Sequence, residues 1–279
     1  MLFRSGTERA ELEGFAKQIR KLAIRMIGDL GVGHIGGAMS IADLLAVLYG
    51  KQMRTDPGHP RAADRDRLVL SKGHAGPALY AALAEKGFFP KDWLATLNKG
   101  GTKLPSHCDR NLTPGIDMTT GSLGQGLSSA CGIATALRIN ANPAKVFCII
   151  GDGESDEGQN WEAAMFAAHK DLCNLIAFTD YNNMQIDGTT TDIMALGRLR
   201  EKWAAFGWHA DEANGHDVEQ IDAAISLART RTDKPSMIIL HTIKGKGCTF
   251  AEGKVESHNM PVTPEMANQA IAALDARGG

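Results

Sequence analysis

Apolar residues follow two rhythms along this 279-residue chain. Between residues 7 and 30, Leu12, Phe15, Ile19, Leu22, Ile24 and Met26 recur near helical spacing among charged neighbours, which predicts an amphipathic helix. Thr7, with acids close behind it, supplies a start signal. A glycine-broken loop, GVGHIGGAMS, leads into a second apolar helix over 41–49. Residues 51–67 are charged, contain Pro57 and Pro60, and read as exposed loop. A short strand over 68–70 ends at SKGHAGPALY, where helix resumes, and an irregular stretch covers 98–120. Residues 123–140 are rich in Ala, Gly and Ser, which suits a helix packed very close to other backbone.

The second half has a strand–helix rhythm. Strands are predicted over 145–150, 174–181 and 236–243, and helices over 157–170, 198–206 and 217–231, with a short Ala-rich helix near the C-terminus. Apolar strand runs alternating with helices predict an α/β fold: a parallel sheet with helices on both faces. No repeat, low-complexity tract or linker divides the chain, so a single domain over 1–279 is expected.

Composition narrows the function. Charged residues at 22% and the AVILMFWYC group at 43% are globular proportions and exclude a disordered tail protein. Thirty Lys and Arg against 32 Asp and Glu argue against a basic nucleic-acid face, so no nucleic-acid partner is expected. No stretch reaches the ~18 apolar residues of a membrane span, and the charged N-terminal segment lacks a signal-type apolar core. Five cysteines without a C-x-x-C pair fit neither a disulfide framework nor a thiolate zinc site. Cys131 and Cys148 read as small buried hydrophobes. The expected compartment is the cytoplasm, with no membrane partner.

Chemistry concentrates where the strand KVFCII turns through Gly151-Asp152-Gly153-Glu154, enters a helix and returns along NLIAFTDY to Asn182-Asn183-Met184. A parallel crossover brings the two strand ends side by side at the carboxyl edge of the sheet, where α/β ligands bind. Asp152 and Asn182 therefore converge although 30 residues separate them. Their oxygens suit a hard divalent cation, and Mg²⁺ normally completes its coordination with phosphate oxygens. Gly151 and Gly153 are expected to turn backbone N–H groups toward phosphate, with the next helix N-terminus adding a favourable field. GDG alone reads as an ordinary tight turn; the paired NN after the second strand makes it a ligand site.

GDGESDEGQNWEAAMFAAHKDLCNLIAFTDYNNMQIDG resembles the thiamine diphosphate signature of the transketolase family. GHIGGAMSIADLLAVLY, LSKGHAGPALYAAL, TTGSLGQGLSSACGIA and TIKGKG followed by SHNMP resemble further family motifs, in family order, over almost the whole chain. The resemblance implies a thiamine diphosphate-binding fold of the diphosphate (PP) type. It implies Mg²⁺, with Ca²⁺ or Mn²⁺ as substitutes, on the Asp152 carboxylate, the Asn182 side-chain oxygen and the Met184 main-chain carbonyl. Gly121, Ser122, Leu123 and Gly153 would approach the cofactor, and His74 and His258 would contact diphosphate or substrate. His34 and His107 would contact substrate hydroxyls, making His34, His107 and His258 the catalytic histidines, since such proton movements need groups titrating near neutrality. Glu157 and Glu162 match glutamates that link two active sites across the interface between chains. His59, His169, His209, His216 and His241 match no motif and are left structural.

Three departures stand out: Ile35 and Ser122 where the family has proline, and Asn259 where it has glycine. The larger departure is that no pyrimidine-binding or third domain follows. The chain therefore resembles the N-terminal subunit of a split transketolase, active only with a C-terminal partner subunit in an α2β2 complex. It would move a two-carbon ketol unit between sugars or sugar phosphates. Two alternatives stay open: a non-catalytic thiamine diphosphate-binding protein, and half of a 1-deoxyxylulose-5-phosphate synthase-like enzyme. Segments 121–137 and 157–168, rich in small and apolar residues, are the surfaces expected to face the partner.

Overall fold

The computed structural model describes residues 6–276. Its strands are β1 (Val32–Gly33), β2 (Arg67–Leu70), β3 (Val146–Gly151), β4 (Leu175–Tyr181), β5 (His209–Asn214), β6 (Ser236–His241) and β7 (Met260–Pro261). Its helices are α1 (Gly6–Leu30), α2 (Gly36–Ser40), α3 (Ala42–Val47), α4 (Gly76–Glu85), α5 (Gln125–Ile139), α6 (Gly158–His169), α7 (Thr190–Ile193), α8 (Leu199–Ala205), α9 (Val218–Thr230) and α10 (Pro264–Ala276). Five strands form one all-parallel sheet in the order β2-β3-β4-β6-β5, and β1 pairs antiparallel with β7 in a small ribbon.

Side chains alternate across a strand, so a strand buried on both sides feeds two cores. Phe147 and Ile149 of β3, Ile176 and Phe178 of β4, and Ile238 and Leu240 of β6 join the core built with α1, α3, α4, α9 and α10. Val146, Cys148 and Ile150, then Leu175 and Ala177, then Met237 and Ile239 join the opposite core with α5, α6 and α8. The expected α/β sheet with helices on both faces is what forms. Cys131 and Cys148 are buried in the second core, and all five cysteines are free. Helix α5 lies as close to other backbone as its composition predicts: a Cβ on Gly126 would come within 2.6 Å of Ser71 Cα. Among the described residues, no helix is long and apolar enough to cross a membrane.

Two elements differ from expectation. The helix predicted over 41–49 starts earlier, at Gly36, breaks at Ile41 (φ −100°, ψ 6°) and ends in a π-helical turn over Leu48–Gln52. The glycine pair that reads as loop in the sequence belongs to its first turn. Strand β5, HADEAN, has no apolar run to announce it; it is an edge strand whose one neighbour in the sheet is β6, with Ala210 and Ala213 packed against the two cores. Asp217 accepts N–H bonds from Glu219 and Gln220 at 3.0 and 3.1 Å, capping α9 where the sequence places its start.

Candidate active site

β3 and β4 end together, with Gly151 in register with Asp180. Asp152 follows the first strand and Asn182 the second, and both are buried. Asp152 accepts the Gly153 N–H through Oδ1 at 2.8 Å and the Asn183 N–H through Oδ2 at 2.6 Å, tying its turn to the other strand's loop. Asn183 makes that loop possible by adopting a left-handed φ of 64°, a conformation asparagine tolerates. Asn182 Nδ2 donates to Asp180 Oδ2 at 3.2 Å while its Oδ1 accepts from the Met184 N–H at 3.1 Å, so the amide orientation is fixed. Burial and the neighbouring Asp180 carboxylate push the Asp152 carboxyl up to about 7. Among the described residues there is no cluster of three or more His, Cys, Asp or Glu that could hold a metal. The donors available here are instead one carboxylate, one amide oxygen and main-chain carbonyls, a hard all-oxygen set.

Next to these donors lies a buried ion pair. Lys72 Nζ donates to Asp180 Oδ2 and, at 3.1 Å, to the Gly37 carbonyl. Asp180 also accepts hydroxyl bonds from Ser40 and Thr242. Burial alone would raise the Asp180 carboxyl, but the Lys72 ammonium and these bonds hold it below the usual carboxylate range. Lys244 Nζ donates to the Gln185 carbonyl at 3.3 Å; burial, then Lys72, lower its ammonium to about 8.

Four loops deliver histidines to one cluster. The His34 ring lies 5.4 Å from His74, 5.6 Å from His107 and 5.3 Å from His258, and His74 lies 5.0 Å from His258. Burial is the first cause that disfavours a proton on each ring. Lys72 adds to it at His74, which falls well below the ordinary range, and Lys244 adds to it at His258, which falls to about 4. His34 is lowered by burial and by His107, and His107 by burial. Neutral imidazoles can both donate and accept hydrogen bonds, the property hydroxyl recognition needs.

A cavity of about 270 Å³ is walled by Asp152, Asn182, Met184, His74, Lys244 and His258. Leu123, Gly153 and Glu157 also border it. His34 and His107 stand behind the His74 and His258 rings and do not line it, and His34 borders a separate pocket of about 100 Å³. Gly121, at φ 145°, packs against His107: a Cβ there would stand 3.2 Å from the ring. The Ser122 side chain is exposed, and its carbonyl accepts from the Gln125 N–H. Glu157 and Glu162 are exposed. Ile35 sits at φ −81°, close to the proline value, and Asn259 at φ −151° is extended backbone open to any residue. Neither departure distorts the site.

The phosphate-facing reading of the Gly151 and Gly153 N–H groups is corrected. The Gly151 N–H donates to Glu154 Oε2 at 2.9 Å and the Gly153 N–H to Asp152 Oδ1 at 2.8 Å, so side chains of the same turn use both. A 3₁₀ turn over Gly153–Asp156 also separates Gly151 from α6, so the helix N-terminus does not follow directly. Sequence reasoning missed Lys72, Glu154, Asp180 and Lys244. Each lies inside a motif that the sequence displays (SKGH, GDGE, DYNN and KGKG), but the partners that make it matter come from distant segments and no local signal marks them. The unassigned histidines stay outside the cavity: His59, His209 and His241 contact surface acids, and His216 Nδ1 contacts Asp43 at 2.7 Å.

Residues 12–275 match the family described as transketolase, thiamine diphosphate binding domain. A 6-deoxy-6-sulfo-D-fructose transketolase subunit, SqwG, of Clostridium sp. (strain MSTE9) is 57% identical over 271 residues, covering 97% of this chain and 98% of that protein. An apulose-4-phosphate transketolase subunit of Phocaeicola vulgatus is 38% identical, covering 95% of this chain and 94% of the relative. The solved transketolase of Campylobacter jejuni superimposes with a TM-score of 0.89 at 32% identity, and that of Leishmania mexicana with 0.88 at 33%. This chain spans 42% and 41% of those two proteins, so it matches subunit-length relatives end to end and solved transketolases in part. The motif order, the parallel sheet and the converging loops have one common explanation: the chain belongs to the transketolase family, in its thiamine diphosphate-binding part.

Proposed function

We propose that this chain is the diphosphate-binding subunit of a two-chain transketolase that moves a two-carbon ketol unit from a ketose to an aldose. The observation that carries the reading is one cavity that Asp152, Asn182 and Met184 share with His74 and His258, two members of a cluster of neutral histidines. A protein that only stored the cofactor would need the oxygen donors and not the histidine cluster. The site fits the cofactor. Its metal-side donors are all oxygen, and Gln185 Nε2, buried at the cavity wall, has no hydrogen-bond partner among the described residues and is left over for an anionic group.

Asp152, the Asn182 oxygen and the Met184 carbonyl would hold Mg²⁺ against the diphosphate, with His74, Lys244, Leu123 and Gly153 around it. Gly121 and Ser122 would shape the adjoining loop. Thiamine diphosphate, when bound, supplies a nucleophilic carbon that takes up the electron pair of the broken carbon–carbon bond. The chain's own part is proton handling and orientation: His34, His107 and His258, neutral at pH 7, can accept a proton from a substrate hydroxyl and return it. The 57% identity to SqwG makes 6-deoxy-6-sulfo-D-fructose the first donor to test.

The exposed Met165 and Phe166 on α6, near Glu162, support a partner on that face, arranged as α2β2 with a C-terminal subunit carrying the pyrimidine-binding domain. Five unpaired cysteines support the cytoplasm. Calorimetric titration of thiamine diphosphate with Mg²⁺ into the two-chain complex tests the assignment. Asp152→Ala, which removes the only charged ligand, is expected to abolish saturable binding, and Asn182→Ala to weaken it less. Unchanged affinity in Asp152→Ala would refute the metal site.

A further inference from the structure

Three loops frame the metal end of the cavity, and they come from distant parts of the chain: the SKGH loop after β2, the loop entering α5, and the turn after β3. One side chain stands where they meet. Glu154 is 3% exposed. Its Oε1 accepts from Ser71 Oγ and, at 2.9 Å, from the Gly124 N–H; its Oε2 accepts from the Gly151 N–H at 2.9 Å. The Glu154 carbonyl accepts from Asn160 Nδ2 at 2.6 Å, which anchors the backbone that carries this carboxylate.

Each bonded group adjoins a residue of the cavity wall, and Gly151 and Glu154 themselves border the cavity. Ser71 precedes Lys72, Gly124 follows Leu123, and Gly151 precedes Asp152, and those three neighbours all line the cavity. We propose that Glu154 is a positioning residue, a buried carboxylate clasp whose two oxygens are taken up by three cofactor-facing loops, setting them relative to one another and thereby controlling cofactor affinity. The inference rests on reading this cavity as the thiamine diphosphate site.

The chemistry requires a carboxylate. An ionised glutamate offers two oxygens and no donor, enough for one hydroxyl and two backbone N–H groups. Glutamine has the same size but one oxygen and an NH₂, so one buried N–H would face another N–H. Aspartate is one methylene shorter. Ser71 can turn its hydroxyl elsewhere; the two backbone groups cannot.

The test uses the assembled two-chain complex at a temperature where every variant is folded. Glu154→Gln is expected to raise the dissociation constant for thiamine diphosphate with Mg²⁺ by about tenfold or more, as loss of one buried bond implies. Turnover at saturating cofactor is expected to stay near wild type. Without cofactor, hydrogen exchange at Gly124 and Gly151 is expected to accelerate. Leu137→Ala, a core truncation at the far end of α5, serves as the stability control and is expected to lower the melting temperature while leaving affinity unchanged. Wild-type affinity in Glu154→Gln, or an equal loss in Leu137→Ala, would overturn the clasp. Should Glu154→Gln fail to assemble, Ser71→Ala decides: a rise of about threefold supports the clasp and no change refutes it. If the wild-type complex itself binds no thiamine diphosphate, the functional reading falls, and the exchange data still decide whether Glu154 pins the loops.

Discussion

Burial, then the ammonium of Lys244, then His34 and Lys72 act against a proton on His258, so this ring titrates near 4 where a free histidine has 6.5. The consequence for stability has a definite sign. With the folded value below the unfolded one, the unfolded chain binds the proton more readily between pH 6.5 and about 4. Stability is intact above that window and is lost as pH falls through it. Thermal melts of the complex across this range should therefore show a smaller acid-induced loss in His258→Asn than in wild type. Equal losses would mean that His258 titrates normally and is not enclosed as described. The same neutral state suits the histidine cluster for exchanging protons with sugar hydroxyls at pH 7.

At the level of elements, α5 shows what decides between local propensity and packing. Alanine in place of Gly126 should gain about 1 kcal/mol of helix propensity. It would also place a Cβ 2.6 Å from the Ser71 backbone, an overpacking that typically costs about 1–3 kcal/mol. Gly126→Ala is expected to lower the melting temperature of the complex and to weaken cofactor binding by displacing the SKGH loop. A raised melting temperature would show that the contact relaxes freely. Much of this architecture was legible. β3, β4 and β6 declare themselves as apolar runs, and the GDG and NN segments place Asp152 and Asn182 at adjacent strand ends. β5 was not legible, because an edge strand can be polar throughout and still pair. Nor were Glu154 and Asp180, whose importance lies in which distant donors they collect, a tertiary fact no local pattern carries.

Across the whole molecule, the sheet brings Asp152, Asn182 and Met184 to one cavity at its carboxyl edge, while apolar Met165 and Phe166 on α6 stay exposed. Subunit-length relatives match the chain from end to end, whereas solved transketolases extend well beyond it. On the proposed function, this chain is half of a catalyst. The most direct test is an initial-rate assay of ketol transfer from 6-deoxy-6-sulfo-D-fructose to an aldose, with thiamine diphosphate and Mg²⁺ saturating. The assay compares this chain alone, the partner chain alone and the two mixed. Turnover is expected in the mixture and in neither chain by itself; robust transfer by this chain alone would overturn the two-chain reading.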